Sequence, residues 1–373
     1  MKSVWEERSF GRKADLLVVG AGITGLFTAW HYGKQHPGHR VVVLEAGLHP
    51  SGASVKNAGF ACFGSPGQLL RDLDEEGEAV ALTRVEERWL GLQELRETLG
   101  DAGLGLELVG GHELFRSGDP QYEQVAARLD MLNDKLHGIF GRTVFSWADE
   151  RIAAQGMRAG HLVWNSLEGA VDSGLLMRTL LGMVQAQGVE LHFGAKVAHW
   201  EDEGRGVRLR MMSNEVVQGH RAVIATNGYT RELVPSTDIA PGRGQVVLTS
   251  PIPGLPLRGT FHMDEGYWYF RHFGDRVLLG GGRHLDKEGE STVEEGTTPR
   301  IQEALLDLLR TVIVPGREFH IAQRWSGVMG FRANGGPPVV QHLTPNVVLA
   351  AGLGGIGVAI GIRVARRAAA MVC

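Results

Sequence analysis

At 373 residues with a formal net charge of −4, the chain exceeds one typical hydrophobic core, so two intimately packed domains are expected. It has no basic run or repeat that could follow phosphates along a polymer, which excludes nucleic acid as a partner. Two cysteines, Cys62 and Cys373, are too few for a disulfide framework, and no Cys/His cluster has zinc spacing, so no metal is expected.

Residues 1–8 are charged and lack the apolar run of a secretory signal, which predicts a cytoplasmic protein. The segment from Leu16 to Gly25 reads as a buried strand, a turn carrying Gly20, Gly22 and Gly25, and a helix with an apolar stripe of Ile23, Leu26, Phe27 and Trp30. His36-Pro37-Gly38 stops that helix, and a second strand then delivers Glu45 twenty residues after the third glycine. This pattern predicts a dinucleotide site. One glycine makes the tight turn, one lets backbone N–H groups approach a pyrophosphate, one allows close helix packing, and the acid holds a ribose hydroxyl pair.

Further along, helices are expected at 83–99, 122–136, 173–187 behind Asp172 as a cap, and 300–312. Strands are expected at 189–193, 207–212, 222–225, 245–249, 267–271, 276–280 and 347–350. The stretch 286–299 is charged and rich in Gly and Thr, as a surface loop would be. The apolar, Gly-rich stretch 347–364 reads as a strand plus a buried helix, so no integral membrane segment is expected.

Four more segments narrow the family: Ser51 to Phe60, Gly169-Ala170-Val171-Asp172, Pro241-Gly242-Arg243-Gly244-Gln245, and Gly352-Leu353-Gly354-Gly355-Ile356-Gly357. With the N-terminal motif they resemble the D-amino acid oxidase superfamily of FAD-dependent oxidoreductases, and within it the glycine oxidase and sarcosine oxidase branch. The resemblance covers nearly the whole chain. It implies an α/β plus α+β fold: a Rossmann-like (GR2-type) FAD-binding domain assembled from discontinuous segments, 1–82, 147–237 and 330–373, and a mostly antiparallel substrate domain of 83–146 and 238–329. It assigns Gly20, Gly22, Ile23, Thr24, Gly25, Glu45 and Ala46 to the ADP half of FAD, and Ser51, Gly52, Ala53, Ser54, Asn57, Ala58 and Gly59 to pyrophosphate and ribityl contacts. Val197 would meet the adenine side through its backbone, and Thr226-Asn227-Gly228 would pass near the diphosphate. A last helix starting near Gly354 or Gly355, with Gly352, Ile356 and Gly357 around it, would turn its positive end to the flavin. Some relatives tether FAD through a His in the Ser-Gly segment or a late Cys. Lys56 holds the first position here and 330–344 has no Cys, so non-covalent FAD is expected.

Along Tyr267-Trp268-Tyr269-Phe270-Arg271 the period of a strand puts Tyr267, Tyr269 and Arg271 on one face. Phenol and guanidinium suit a substrate carboxylate, although the same pattern fits a strand whose arginine meets solvent. The resemblance of the segment 324–332 to the Trp-x-Gly stretch of glycine oxidase-like enzymes implies Arg332 as a second candidate for that carboxylate, and His262 and Lys56 are further polar groups that could approach the flavin. The resemblance implies hydride transfer from a small amine or amino acid (a D-amino acid, glycine or an N-alkyl amino acid) to flavin N5, giving an imine that hydrolyses, with oxygen or a quinone-type carrier as final acceptor. A 2-hydroxy acid oxidoreductase of the same fold is the alternative, and a nicotinamide-dependent dehydrogenase or a non-catalytic flavin module are readings from other classes.

Overall fold

The computed structural model describes residues 3–9, 11–333 and 335–373; Met1 and Lys2 of the charged N-terminal stretch lie outside the described residues. In chain order the elements are α1 (Val4–Ser9), β1 (Ala14–Val19), α2 (Ile23–Gln35), β2 (Val41–Leu44), α3 (Ala53–Lys56), β3 (Phe60–Ala61), α4 (Pro66–Glu76), α5 (Glu78–Leu104), β4 (Gly111–Phe115), α6 (Pro120–Phe140), β5 (Ser146–Trp147), α7 (Glu150–Ala154), β6 (His161–Asn165) and β7 (Gly169–Ala170). There follow α8 (Ser173–Ala186), β8 (Glu190–His192), β9 (Val197–Asp202), β10 (Val207–Met211), β11 (Val216–Ile224), β12 (Ile239–Thr249), β13 (Thr260–Met263), β14 (Trp268–Phe273), β15 (Arg276–Gly281), α9 (Pro299–Leu308), β16 (Ile321–Arg332), β17 (Val339–Thr344), β18 (Val347–Ala351) and α10 (Gly357–Met371).

The chain folds as two compact units, one of Met1–Val55, Gly174–Gly242 and Val328–Cys373, the other of Lys56–Ser173 and Arg243–Gly327. This corrects the expected boundaries. Residues 56–82 and 147–173 belong to the second unit because Phe63, Leu69, Leu70 and Val163 share a buried core with Val85, Leu129 and Leu132 of α5 and α6. Asn57, Ala58 and Gly59 therefore lie in the second unit.

The first unit is built on a sheet of order β17-β18-β11-β1-β2-β8, with β9 and β10 continuing from β11. β1 pairs in parallel with β2 (Leu16 opposite Val41) and with β11 (Leu16 opposite Arg221), and β11 pairs in parallel with β18. Parallel strands buried on both sides read as unbroken apolar runs, as Leu16 to Val19 and Val41 to Leu44 do. β11 begins earlier than expected because its first half pairs with β10 outside the parallel core. Helices α2 and α10 pack closely; a Cβ on Gly361 would stand 2.6 Å from Ile23 Cγ2, so glycine there sets the approach. The apolar stretch expected to be a strand and a buried helix is β18 and α10. No described helix is long and apolar enough to cross a membrane.

The second unit carries a largely antiparallel sheet of order β16-β12-β15-β14-β13-β4-β6-β5. On one face Trp268, Phe270, Phe261 and Leu279 pack with Ile301 and Leu305 of α9. On the other, Tyr269, Val246, Leu248 and Leu278 meet Ala58, Phe60 and Trp325. The expected loop 286–299 is tied down by charge: Glu290, fully buried, takes Arg243 Nε and Nη2 at 2.8 and 2.9 Å and Gln245 Nε2 at 2.8 Å. Helix α4 is additional to the expected elements, although Ser65-Pro66 is a helix start signal with Pro at the first turn. β4, β6, β13, β16 and β17 are additional too, since each is short or interrupted by polar residues that blur its period.

Candidate functional site

In the first unit the predicted cofactor residues collect at one end of the parallel sheet. The glycine turn follows β1, Glu45 follows β2, Thr226-Asn227-Gly228 follows β11, and Gly352 to Gly357 follow β18. Those are the carboxyl ends of adjacent strands, where open α/β sheets bind nucleotides. Gly20 and Gly25 are sterically required, and Gly22 is crowded. Gly20 has φ +104°, a Cβ on Gly22 would meet Ser54 Oγ at 3.0 Å, and a Cβ on Gly25 would lie 1.9 Å from Gly20 O.

Glu45 braces the turn: its Oε2 accepts the Ala21 N–H at 2.9 Å and its Oε1 accepts the Gly47 N–H at 3.0 Å. Ser54 Oγ accepts the Ile23 N–H at 3.0 Å, bringing the Ser-Gly segment to the start of α2. Gly22, the N-cap of α2, provides no side-chain cap. A side chain on Gly52 or Gly355 would meet nothing of the protein within 4 Å. Val197 heads β9 and is buried.

The last glycine-rich segment differs in detail from expectation. α10 begins at Gly357 behind Ile356, not at Gly354 or Gly355. Gly354 cannot be helical, because its φ is +61° and its N–H is taken by Gly330 O at 2.9 Å. Asn227 fixes the loop by accepting the Gly352 and Leu353 N–H groups on Oδ1 at 3.1 and 3.3 Å. Ile356, the N-cap of α10, provides no side-chain cap, so the start of α10 favours negative charge. Arg332 is half-buried and gives Nε and Nη2 to Asp238 Oδ2 at 2.8 and 2.7 Å.

In the second unit β14 shows the alternation read from sequence for Tyr269 and Arg271, opposite Trp268 and Phe270, but Tyr267 lies before the strand, in the turn that leads into it, and is exposed. Arg271 does not present a free fork, however. It is 4% exposed, and donates Nε to His272 O at 3.0 Å and Nη1 to Gly59 O and Val171 O at 2.6 and 2.9 Å. Its first role is to fasten the small β3–β7 pair. Gly59, at φ +70°, admits this contact, since a Cβ there would stand 2.7 Å from Nη1. Asn57 Oδ1 steadies the same turn, accepting the Gly59 N–H at 2.8 Å and the Ser173 hydroxyl at 2.6 Å. Burial pushes the Tyr269 phenol up to about 12, so it stays a donor at neutral pH.

Two buried carboxylates that no sequence signal marked hold the segment after β3. Glu168 Oε1 accepts the Phe63 and Gly64 N–H groups at 2.7 and 3.2 Å, and Glu113 accepts the Ser65 hydroxyl at 2.8 Å and the Gly67 N–H at 2.7 Å at the start of α4. Burial pushes both up to about 7. Lys56 forms an ion pair with Glu295. Cys62 is buried, which pushes its thiol well above its ordinary range and leaves little reactive thiolate. Among the described residues no group of three or more His, Cys, Asp or Glu side chains could hold a metal ion.

A glycine turn, an acid and two helix starts at the carboxyl ends of a parallel sheet define a dinucleotide-binding protein of the Rossmann-like class. The chain belongs to the DAO family of FAD dependent oxidoreductases, whose model matches residues 15–371. It is similar to the probable oxidoreductase OrdL of Rhizobium meliloti (strain 1021), at 24% identity over 93% of this chain and 80% of that one. Its fold is similar to L-proline dehydrogenase from P. horikoshii, with TM-score 0.75, 16% identity, and 97% and 93% of the two chains covered. It is also similar to glycine oxidase from Geobacillus kaustophilus, with TM-score 0.71, 21% identity, and 96% and 94% covered. Iminodiacetate oxidase from Chelativorans sp. BNC1 gives TM-score 0.70 at 17% identity, with 96% and 95% covered. The residues fit FAD: a Cβ on Gly22 would crowd Ser54 Oγ at the cradle, Glu45 has lone pairs left for a ribose, and the starts of α2 and α10 suit anionic groups.

Proposed function

We propose that the protein oxidises a small amine or amino acid, such as glycine, a D-amino acid or an N-alkyl amino acid, using non-covalent FAD. The observation that carries this reading is the cofactor cradle at the ends of β1, β2, β11 and β18 in a chain of the DAO family. Proteins that share its fold, a glycine oxidase, a proline dehydrogenase and an iminodiacetate oxidase, are all named for amine-bearing acids, which supports it. Bound FAD supplies the acceptor for a hydride from the carbon beside the nitrogen. The protein's residues do the rest. Glu45 holds the adenosine ribose, the start of α2 meets the pyrophosphate, and the start of α10 favours negative charge on the reduced ring.

For the substrate carboxylate the reading assigns the Tyr269 hydroxyl and Arg271 Nη2, the latter left over after Nε and Nη1 have bound backbone carbonyls. Arg332, already paired with Asp238, is the competing cation. Lys56 and Cys62 offer no reactive tether, one because it is paired with Glu295 and the other because it is buried as a thiol.

The test is spectroscopic. Purified protein should be yellow, acid precipitation should release its flavin as FAD, and anaerobic addition of glycine, N-methylglycine, D-alanine or proline should bleach it. Bleaching by lactate but by none of the amines overturns the reading in favour of a hydroxy acid.

A further inference from the structure

On the face of the second sheet that meets Ala58, Phe60 and Trp325, His262 of β13 lies directly across from Tyr269 of β14. Both of its ring nitrogens are buried, and neither has a hydrogen-bond partner among the described residues. Phe60 stands edge-on to both rings, with centroids 5.1 Å from His262 and 5.9 Å from Tyr269. Arg271 sets Phe60 there by gripping the carbonyl of Gly59 next to it in the chain. Apolar side chains, Leu278, Val246 and Trp325, complete the surroundings of Tyr269 and Phe60. A buried imidazole with two unmet nitrogens is costly, and native proteins keep such groups where a ligand supplies the missing partner.

Resting on the amine-oxidising reading above, we propose that His262 is the contact for the reacting nitrogen: its unprotonated ring atom accepts the substrate's amine N–H while the Tyr269 hydroxyl beside it takes the carboxylate. Burial pulls this histidine down to about 4, so it stays neutral through the working range and keeps one acceptor and one donor. A neutral acceptor beside the ring of Phe60 suits an unprotonated amine, the form that can give up a hydride. The flat aromatic wall of Phe60 suits a small or N-alkylated amine.

The test uses His262→Phe and His262→Gln. In protein stripped of flavin, His262→Phe should melt no lower than wild type, because it exchanges two unmet nitrogens for an apolar ring beside Phe60; a fall of several degrees would mean the histidine is structural and overturns the proposal. In holoprotein of unchanged FAD content, His262→Phe should raise the half-saturating concentration of the best amine for anaerobic bleaching at least tenfold, and His262→Gln should recover part of the loss. Equal half-saturation in wild type and His262→Phe overturns it as well. If wild type is bleached by no amine, the amine reading falls, and the melting comparison still decides whether His262 serves the fold or a ligand.

Discussion

Arg271 shows how one side chain divides its donors between fold and ligand. Three of its hydrogen bonds go to backbone carbonyls, so Arg271→Ala is expected to lower stability by a few kcal/mol, at about 1.5–3 kcal/mol for each charge-assisted hydrogen bond removed, less what water recovers. Thermal melting reads that change. Tyr269→Phe removes only a hydroxyl and should leave the melt unchanged while weakening capture of carboxylate-bearing substrates about tenfold. Arg332→Ala is the control; if it alone abolishes capture, the carboxylate belongs to Arg332. At the other pole stand Gly25 and Gly22, where the backbone itself is the functional part. Gly25→Ala puts a methyl 1.9 Å from Gly20 O, so the turn must open and the protein should be purified with little flavin, read from the ratio of visible to ultraviolet absorbance.

At the scale of elements, helix starts decide both halves of the molecule. The N-cap residues of α10 and α2 supply no side-chain cap, and the first N–H of α2 goes to Ser54 Oγ from a separate segment, whereas α4 begins on the carboxylate of Glu113 reaching from β4. Gly354 belongs to the turn that aims α10, with φ +61°. Gly354→Val strains that turn, so it should lower the flavin potential or empty the site; a fully occupied variant with unchanged potential argues that α10 has no redox part. The Glu113 and Glu168 carboxyls carry a pH signature. Their folded values are raised from 4.5 to about 7, so the folded state holds their protons more tightly than the unfolded chain. Their contribution is whole below about pH 4.5 and is lost as pH rises through about 7. Urea midpoints between pH 5 and pH 8 should therefore fall more steeply for wild type than for Glu113→Gln plus Glu168→Gln, whose amides do not titrate.

For the whole molecule, neither unit is one continuous stretch, so each core closes only when distant segments meet. β4 pairs with β13 across about 150 residues of chain, and residues 56–173 expressed alone lack the strands that cover Leu114 and Leu162. That fragment should give the circular dichroism of a largely unfolded chain; a cooperative melt from it would mean that the helical layer of α4, α5 and α6 is self-sufficient.

What could be read from residues alone was local and periodic. The strand, glycine turn, helix and acid at 16–45 follow from short-range geometry, as does the two-faced pattern of β14, because every partner lies within a few residues or on one strand. The dinucleotide turn and the DAO family were therefore legible in the residues themselves. Assignments that depend on distant partners were not. Glu168 against Phe63, Arg271 against Gly59 and Val171, and Arg332 against Asp238 are separated by about 94 to 212 positions in the chain. A guanidinium written in sequence looks equally ready for a ligand wherever it stands. Only the folded chain shows which of its N–H groups have already been claimed by carbonyls that burial would otherwise leave unsatisfied.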